Sequence, residues 1–276
     1  MEKTRIDNLL LSGNQQGNPS DMLNVMTFNI RYGLAEDGEN HWNKRKGLVI
    51  ERIQAFDPDL LGIQECRDDE QAEFIRSSLP EYHFFGVRRA SDDSTALEMA
   101  PILFRKSCFE PIQSGCFWLS QTPDVAGSKS WDSTFARTAT WAELCHTPSG
   151  KTLVFLNTHF DYRPQAIDGA ARLLLDWANQ TLARNPLIIT GDFNADKHSS
   201  AYQLLTGTLT DVHRQAHPDR RNEATYHDFG RASPPTPIDW ILASTHFTIL
   251  EATIDSTRSE GRYPSDHYPV TSVLGL

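Results

Sequence analysis

Apolar and polar positions along the chain follow two rhythms. Short runs dense in Leu, Ile, Val and Phe recur at 23–28, 60–64, 83–87, 101–104, 138–145, 152–158, 187–190, 238–243 and 267–273, and this pattern predicts nine β-strands. Nine strands suggest two sheets. Two segments change to a helical period. Asn43 is placed to cap a helix over 44–56 with Leu48, Val49, Ile53 and Phe56 on one face, and 163–183 sets Ile167, Leu174, Leu175 and Ala178 at helical spacing. Strands interleaved with helices favour packed sheets with helices outside them. The stretches 120–135 and 214–237 keep neither rhythm and read as long loops, which on a compact scaffold often carry function. Residues 11–21 are rich in Gly, Asn, Gln and Ser, so 1–21 reads as a flexible polar leader and 22–276 as a single domain without repeats or linkers.

The chemistry sits where the apolar runs stop. Asn29 follows LNVMTF, Glu65 follows LLGIQ, His159 follows LVFLNT, and Asp192 and Asn194 follow LIITG; Asp239 follows TPI, and Asp266 with His267 precedes YPV. Each has an ordinary reading alone: Asn29 can cap a turn, Asp192 and Asn194 can make an Asx turn, Glu65 can pair with an arginine, and His267 can be structural. Their convergence at strand ends favours a shared site. The donors are oxygens of Asn, Asp and Glu, with no cysteine cluster and no HExxH, so Mg²⁺ is favoured over zinc, with Mn²⁺ as the alternative. There is no GxxxxGK[ST] loop and no GxSxG elbow, which leaves water as the expected nucleophile.

Six segments then occur in a familiar order: TFNIRYG at 27–33, GIQECRD at 62–68, NTHFD at 157–161, TGDFNAD at 190–196, PIDWIL at 237–242 and SDHYPV at 265–270. With them the chain, from Met22 to its last residue, resembles the endonuclease/exonuclease/phosphatase superfamily, which includes deoxyribonuclease I, abasic-site endonucleases, deadenylases, neutral sphingomyelinases and inositol polyphosphate 5-phosphatases. The resemblance implies an α/β fold, a four-layer α/β/β/α sandwich of two packed mixed β-sheets, with the site at one end. It implies Glu65 as a metal ligand completed by Asn29 and Asp266. It implies that Asp192 orients or deprotonates the attacking water while Asn194 holds it and the phosphate. His267, paired with Asp239, would contact the scissile phosphate, and His159 would be a second histidine.

The stretch EMAPILFRK at 98–106 resembles the segment in which a glutamate, here Glu98, pairs with that second histidine. Arg31 and Arg67 match substrate-contacting arginines, and Asp161 closes the NTHFD motif on the substrate side. CFWLSQTPD at 116–124, GSKSWD at 127–132 and Arg137 resemble a bacterial branch of the superfamily, in which Trp118 and Trp131 are placed as stacking partners for a base or sugar.

Charge narrows the substrate. Acidic residues number 36 against 26 basic ones, a formal net charge of −10, and the longest basic run is Lys44-Arg45-Lys46. Such a surface repels polyanions, so nucleic acid as a partner is expected to be short or single-stranded and long duplex DNA is disfavoured. No apolar run is long enough to span a bilayer, and the leader lacks the features of a signal peptide, so the expectation is a cytoplasmic protein with no membrane partner. The 4 cysteines show no CxxC spacing and read as buried thiols. No obligate protein partner is implied. The leading expectation is a Mg²⁺-dependent phosphodiesterase acting on a small or single-stranded phosphate-ester substrate. The alternatives are a small-molecule phosphomonoesterase and a catalytically inactive phosphate- or nucleic-acid-binding module.

Overall fold

The computed structural model describes residues 21–90, 97–220 and 223–276, so all but the last residue of the expected leader lies outside the described part. In chain order the strands are β1 (Met22–Asn29), β2 (Leu60–Gln64), β3 (Cys66–Arg67), β4 (Tyr82–Phe85), β5 (Glu98–Met99), β6 (Ile102–Arg105) and β7 (Phe109–Trp118). They continue with β8 (Thr138–His146), β9 (Lys151–His159), β10 (Leu187–Asp192), β11 (Thr210–Asp211), β12 (Asp239–Ala243), β13 (Thr248–Ile254) and β14 (Val270–Gly275). The α-helices are α1 (Trp42–Phe56), α2 (Glu70–Ser78), α3 (Pro164–Leu182), α4 (Ser200–Thr206) and α5 (Val212–Ala216).

Two six-stranded sheets form, with orders β13-β14-β1-β2-β6-β4 and β11-β12-β10-β9-β8-β7. Both are mixed: β1 and β2 run parallel, as do β9 and β10, and the remaining pairs in each are antiparallel. The alternation of side chains along a strand assigns the layers. In β1, Leu23 and Val25 join an apolar core shared with Phe155, Ile188 and Ile241 of the other sheet, while Met26 and Phe28 join a core with Val49, Ile53 and Ile75 of α1 and α2. In β9 and β10, Phe155 and Ile188 face the first sheet, whereas Val154, Leu156, Leu187 and Ile189 pack on Ala170, Leu174 and Leu205 of α3 and α4. Three apolar interfaces therefore separate four layers in the order α/β/β/α.

The strands that the apolar rhythm missed include three of the four edges of the large sheets, the short β11 among them. β7 closes the second sheet and β13 the first. β7 reads FEPIQSGCFW, tolerates Pro111 beside a register shift, and exposes residues along its middle, as an edge with only one neighbour allows. Helix α1 begins at Trp42 rather than after Asn43, and its cap is His41, whose Nδ1 accepts from the Asn43 backbone N–H at 3.3 Å. The last strand begins at Val270 rather than at 267, because Pro269 has no N–H to give a ladder; this leaves Asp266 and His267 on the preceding loop.

Candidate active site

Strand register assembles the centre of the site. Parallel pairing puts His159 of β9 beside Asp192 of β10, and antiparallel pairing puts Asp192 beside Asp239 of β12, so the three make a row across the end of the second sheet. On the facing sheet β1 ends at Asn29, paired with Gln64. The next residue, Glu65, turns into the left-handed region at φ 59, which disfavours a side chain by about 1–2 kcal/mol. Its carboxylate holds the turn: Oε1 accepts from Asn29 Nδ2 at 3.1 Å and Oε2 from the Tyr32 backbone N–H at 2.7 Å. Asn29 Nδ2 also donates to Asp192 Oδ2 at 2.9 Å, which joins the two sheets at the site.

Burial sets the electrostatics. Burial pushes the Asp192 carboxyl up to about 7, with the neighbouring Asp239 carboxylate adding to the effect. His267 responds the other way. Burial disfavours its cation, yet Asp239 Oδ2 at 2.8 Å from Nδ1, helped by Asp192 and Asp266, pushes the imidazole up to about 10. Burial also raises the Asp266 carboxyl, while for Glu65 burial is outweighed by Arg31 and the Asn29 hydrogen bond, which hold its carboxyl down. Asp192 Oδ2 lies 3.5 Å from His159 Nε2 and 3.8 Å from His267 Nε2. A carboxyl that titrates near neutrality is thus flanked by two imidazoles, suited to taking a proton from water.

The expected pairing of Glu98 with His159 is loose. Glu98 Oε1 lies 3.7 Å from His159 Nδ1, beyond hydrogen-bond length, and that Nδ1 is buried with no hydrogen-bond partner among the described residues. The glutamate is taken up by arginines instead: Arg89 Nη1 at 2.7 Å and Arg137 Nη1 at 3.1 Å both donate to Oε1. Burial, then Arg137 and Arg89, press the His159 imidazole well below its ordinary range, so it stays neutral. Its Nε2 meets Asn194 Nδ2 at 3.1 Å, and that amide also donates to the Phe160 carbonyl at 2.9 Å. Asn194 is placed by its own backbone N–H, which donates to Asp192 Oδ1 at 2.9 Å.

Other expected contacts are placed differently. Arg31 lines the pocket, held by Asp37 at 2.9 Å and 3.5 Å from Asp266 Oδ2. Arg67 is a correction: it is buried, bonded to Asp69 at 2.6 Å and to the Tyr32 hydroxyl at 2.7 Å, so it supports Tyr32 from behind. Trp118 is another, because its indole N–H donates to the Arg89 carbonyl at 2.6 Å and its ring is buried. Trp131 lies flat on α3; a Cβ at Gly169 would come within 2.2 Å of its ring, so it anchors the loop and leaves no face for a base or sugar on that side. Asp161 accepts from the Phe135 and Arg163 backbone N–H groups, both at 3.0 Å, and thereby ties that loop to the end of β9.

Sequence reasoning missed Arg45, which reads as part of a solvated basic run. It is 1% exposed, and its guanidinium donates to four carbonyls: Ile30 at 2.6 Å, Asn40 at 2.8 Å, Pro264 at 3.0 Å and Arg31 at 3.1 Å. The Ile30, Arg31 and Pro264 carbonyls flank Asn29 and Asp266, so one buried cation, 219 residues from Pro264 in the sequence, ties the two segments together. Burial pushes this guanidinium down to about 10. Arg89, Phe135, Tyr162 and Tyr226 also line the pocket, of about 470 Å³, without any sequence signal beyond residue type.

The donor set suits a hard cation. Glu65, Asn29 and Asp266 supply oxygens from the first sheet and its loop; Asp192, Asp239 and His267 each bring one polar atom within 4.8 Å of the others, but the protonated His267 serves there as the partner of the two carboxylates and not as a ligand. Asp239 Oδ1 is buried with no hydrogen-bond partner among the described residues, an acceptor that a cation would satisfy.

The profile of the endonuclease/exonuclease/phosphatase family matches residues 26–267. Among solved structures, an endonuclease/exonuclease/phosphatase from Bacteroides vulgatus superposes with a TM-score of 0.84 at 33% identity, covering 92% of this chain and 99% of that one. A mannosyl-6-phosphatase of Bacteroides thetaiotaomicron gives a TM-score of 0.81 at 30% identity, covering 92% and 100%. The 3'-5'-exoribonuclease subunit Ccr4 of the Saccharomyces cerevisiae CCR4-Not complex is 23% identical over 295 residues, which cover 83% of this chain and 34% of Ccr4, so the chain spans about a third of that relative.

Proposed function

Because the chain belongs to the endonuclease/exonuclease/phosphatase family, we propose that it is a divalent-metal-dependent phosphoesterase that hydrolyses a phosphodiester in a small nucleotide-like or single-stranded substrate by direct attack of water. The observation that carries this reading is the row His159, Asp192, Asp239, set by strand register opposite Asn29 and Glu65. Glu65, Asn29 and Asp266 would hold Mg²⁺ or Mn²⁺, which when bound supplies charge stabilisation at phosphoryl oxygens. Asp192 accepts the proton of the water, and Asn194, fixed through its backbone to Asp192, orients that water and the phosphate. The His267 cation, held by Asp239, faces the charge that develops on the phosphoryl oxygens. The net charge of −10 supports a short substrate over a long duplex.

A second reading, hydrolysis of a phosphomonoester, draws on the mannosyl-6-phosphatase at 30% identity over 92% of the chain. The test is turnover of bis(p-nitrophenyl) phosphate and of p-nitrophenyl phosphate before and after EDTA, with Mg²⁺ or Mn²⁺ added back. Loss with EDTA and recovery with the ion support the proposal, and the faster substrate decides between diester and monoester. Undiminished turnover in EDTA, or none of either ester with metal present, refutes it.

A further inference from the structure

The two members of the Asp239–His267 pair come from segments 28 residues apart, and regular structure fixes neither of them completely. Asp239 is the first residue of β12; β10 stands on one side of it, but on the other β11 pairs only with Leu242 and Ala243. His267 lies on the loop ahead of β14. Carboxylate and imidazole nevertheless meet at 2.8 Å, and both are buried.

A third segment, 225–228, lies between them and supplies the missing constraint. Thr225 is 1% exposed, and its Oγ1 accepts from the Ile238 backbone N–H at 3.1 Å and from the Asp239 backbone N–H at 3.0 Å. A hydroxyl oxygen has two acceptor sites, so the chain that carries Asp239 takes both. The Thr225 carbonyl accepts from the backbone N–H of Tyr268, the residue after His267, at 2.8 Å, and its own N–H donates to the Thr236 carbonyl at 3.0 Å. Tyr226 then bridges to Thr236 on one side and to His267 on the other, with its ring 4.9 Å from the imidazole. The backbone N–H groups of His227 and Asp228 both donate to the Asp266 carbonyl, at 2.9 and 3.1 Å. Segment 225–228 is thus a splint, hydrogen-bonded to 236–239 on one side and to 266–268 on the other.

We propose that Thr225 is a positioning residue for hydrolysis: through its hydroxyl and its carbonyl it sets the Asp239 carboxylate against the His267 imidazole, and so aims His267 at the phosphoryl oxygens. The inference rests on the phosphoesterase reading above for its catalytic consequence, and on the hydrogen bonds of the splint for the placement. Valine has nearly the shape of threonine without the hydroxyl, so Thr225→Val leaves two N–H groups without their acceptor and frees the start of β12 to shift. A misplacement of about 1 Å is enough to lower a rate about a hundredfold.

The test compares the unmodified protein with Thr225→Val and Thr225→Ser on the faster of the two nitrophenyl esters at saturating Mg²⁺. In Thr225→Val kcat is expected to fall about 10–100-fold with KM little changed, because the His267 cation acts on charge that develops in the transition state. Thr225→Ser keeps the oxygen and recovers most of the loss. Thr225→Ala repeats the loss, and stands in for valine if that variant does not fold. A second readout needs no turnover: the Nδ1–H of His267, held by Asp239, gives a downfield proton resonance, assigned by its absence in His267→Gln. It is kept in Thr225→Ser and moves upfield or exchanges away in Thr225→Val and Thr225→Ala. Equal kcat in all the variants, an equal loss in serine and valine, or an imidazole resonance unmoved in Thr225→Val overturns the proposal. A lowered urea midpoint with unchanged kcat shows a threonine that serves the fold alone and overturns it as well. If the unmodified protein hydrolyses no ester, the phosphoesterase reading falls, while the resonance still decides the placement.

Discussion

The two ends of the space between the sheets are built by the same strands and have opposite economies. At one end Leu23, Val25, Leu153, Phe155, Ile188 and Ile241 meet in an apolar core. Two residues further along the same faces stand Thr27, Asn157 and Thr190, joined by Gln64: its Nε2 donates to Thr27 Oγ1 at 2.9 Å and to Asn157 Oδ1 at 2.7 Å, and Thr190 donates to the same Oδ1 at 3.0 Å. Two residues further again stand Asn29, His159 and Asp192. Gly62 leaves the room this needs, since a Cβ there would come within 2.1 Å of Thr190 Oγ1. A period of two thus carries the strands from apolar packing through hydrogen-bonded polar groups to Asn29, His159 and Asp192, of which the two ionisable ones have displaced pKa values. One end stabilises the fold; the other spends stability to hold charges where chemistry needs them.

If that division is real, substitutions at the two ends have crossed effects. Asp192→Asn is expected to lower kcat by about three orders of magnitude or more, because the amide cannot take a proton. Its urea midpoint should hold or rise, since one of two adjacent buried carboxylates is gone. Phe155→Ala, by contrast, should lower stability by about 3–5 kcal/mol in urea titration while leaving KM unchanged. A stability loss in Asp192→Asn equal to that in Phe155→Ala would break the comparison.

A smaller effect is expected between these extremes, at Arg45. Lysine keeps the charge but cannot reach four carbonyls, so the segments bearing Asn29 and Asp266 loosen. Arg45→Lys should raise the Mg²⁺ concentration for half-maximal activity by about 10–100-fold, with kcat at saturating metal largely recovered. A lowered kcat with unchanged metal dependence would show that Arg45 acts on the fold alone.

Legibility in the sequence follows the same gradient. Strands buried on at least one face print their period, so the four layers and the row at their ends could be read from where apolar runs give way to Asn, Asp, Glu and His. Edges print little: β7 has solvent along its middle, and nothing in FEPIQSGCFW distinguishes it from a loop. Arginines print least. Arg45 bonds to carbonyls, which every residue has, and Arg89 bonds to a glutamate that a motif had assigned to His159. The two tryptophans show the converse error, for residue type marks Trp118 and Trp131 as able to stack but not whether their faces are already taken.

The smallest expected effect belongs to the apolar end and concerns pH. His213, on α5 beside Val212 of the inter-sheet core, is buried, and burial followed by the Lys197 ammonium pushes its imidazole down to about 4. His217 adds to the lowering, and Asp211 and Glu223, whose Oε2 lies 3.4 Å from Nε2, oppose it without restoring the ordinary value near 6.5. Between these two values the unfolded chain binds a proton that the folded chain refuses, so this histidine's contribution to stability is complete above about pH 6.5 and is lost as the pH falls towards 4. Replacing it by glutamine removes the titration. Urea midpoints of the unmodified protein and of His213→Gln should therefore differ most at neutral pH and converge through that window. The activity ratio of the two proteins should stay flat over the same range, because the group lies at the other end from the hydrolytic row. Parallel midpoint curves would remove His213 as the cause, and an activity ratio that moves with the midpoints would show that the two ends are not independent.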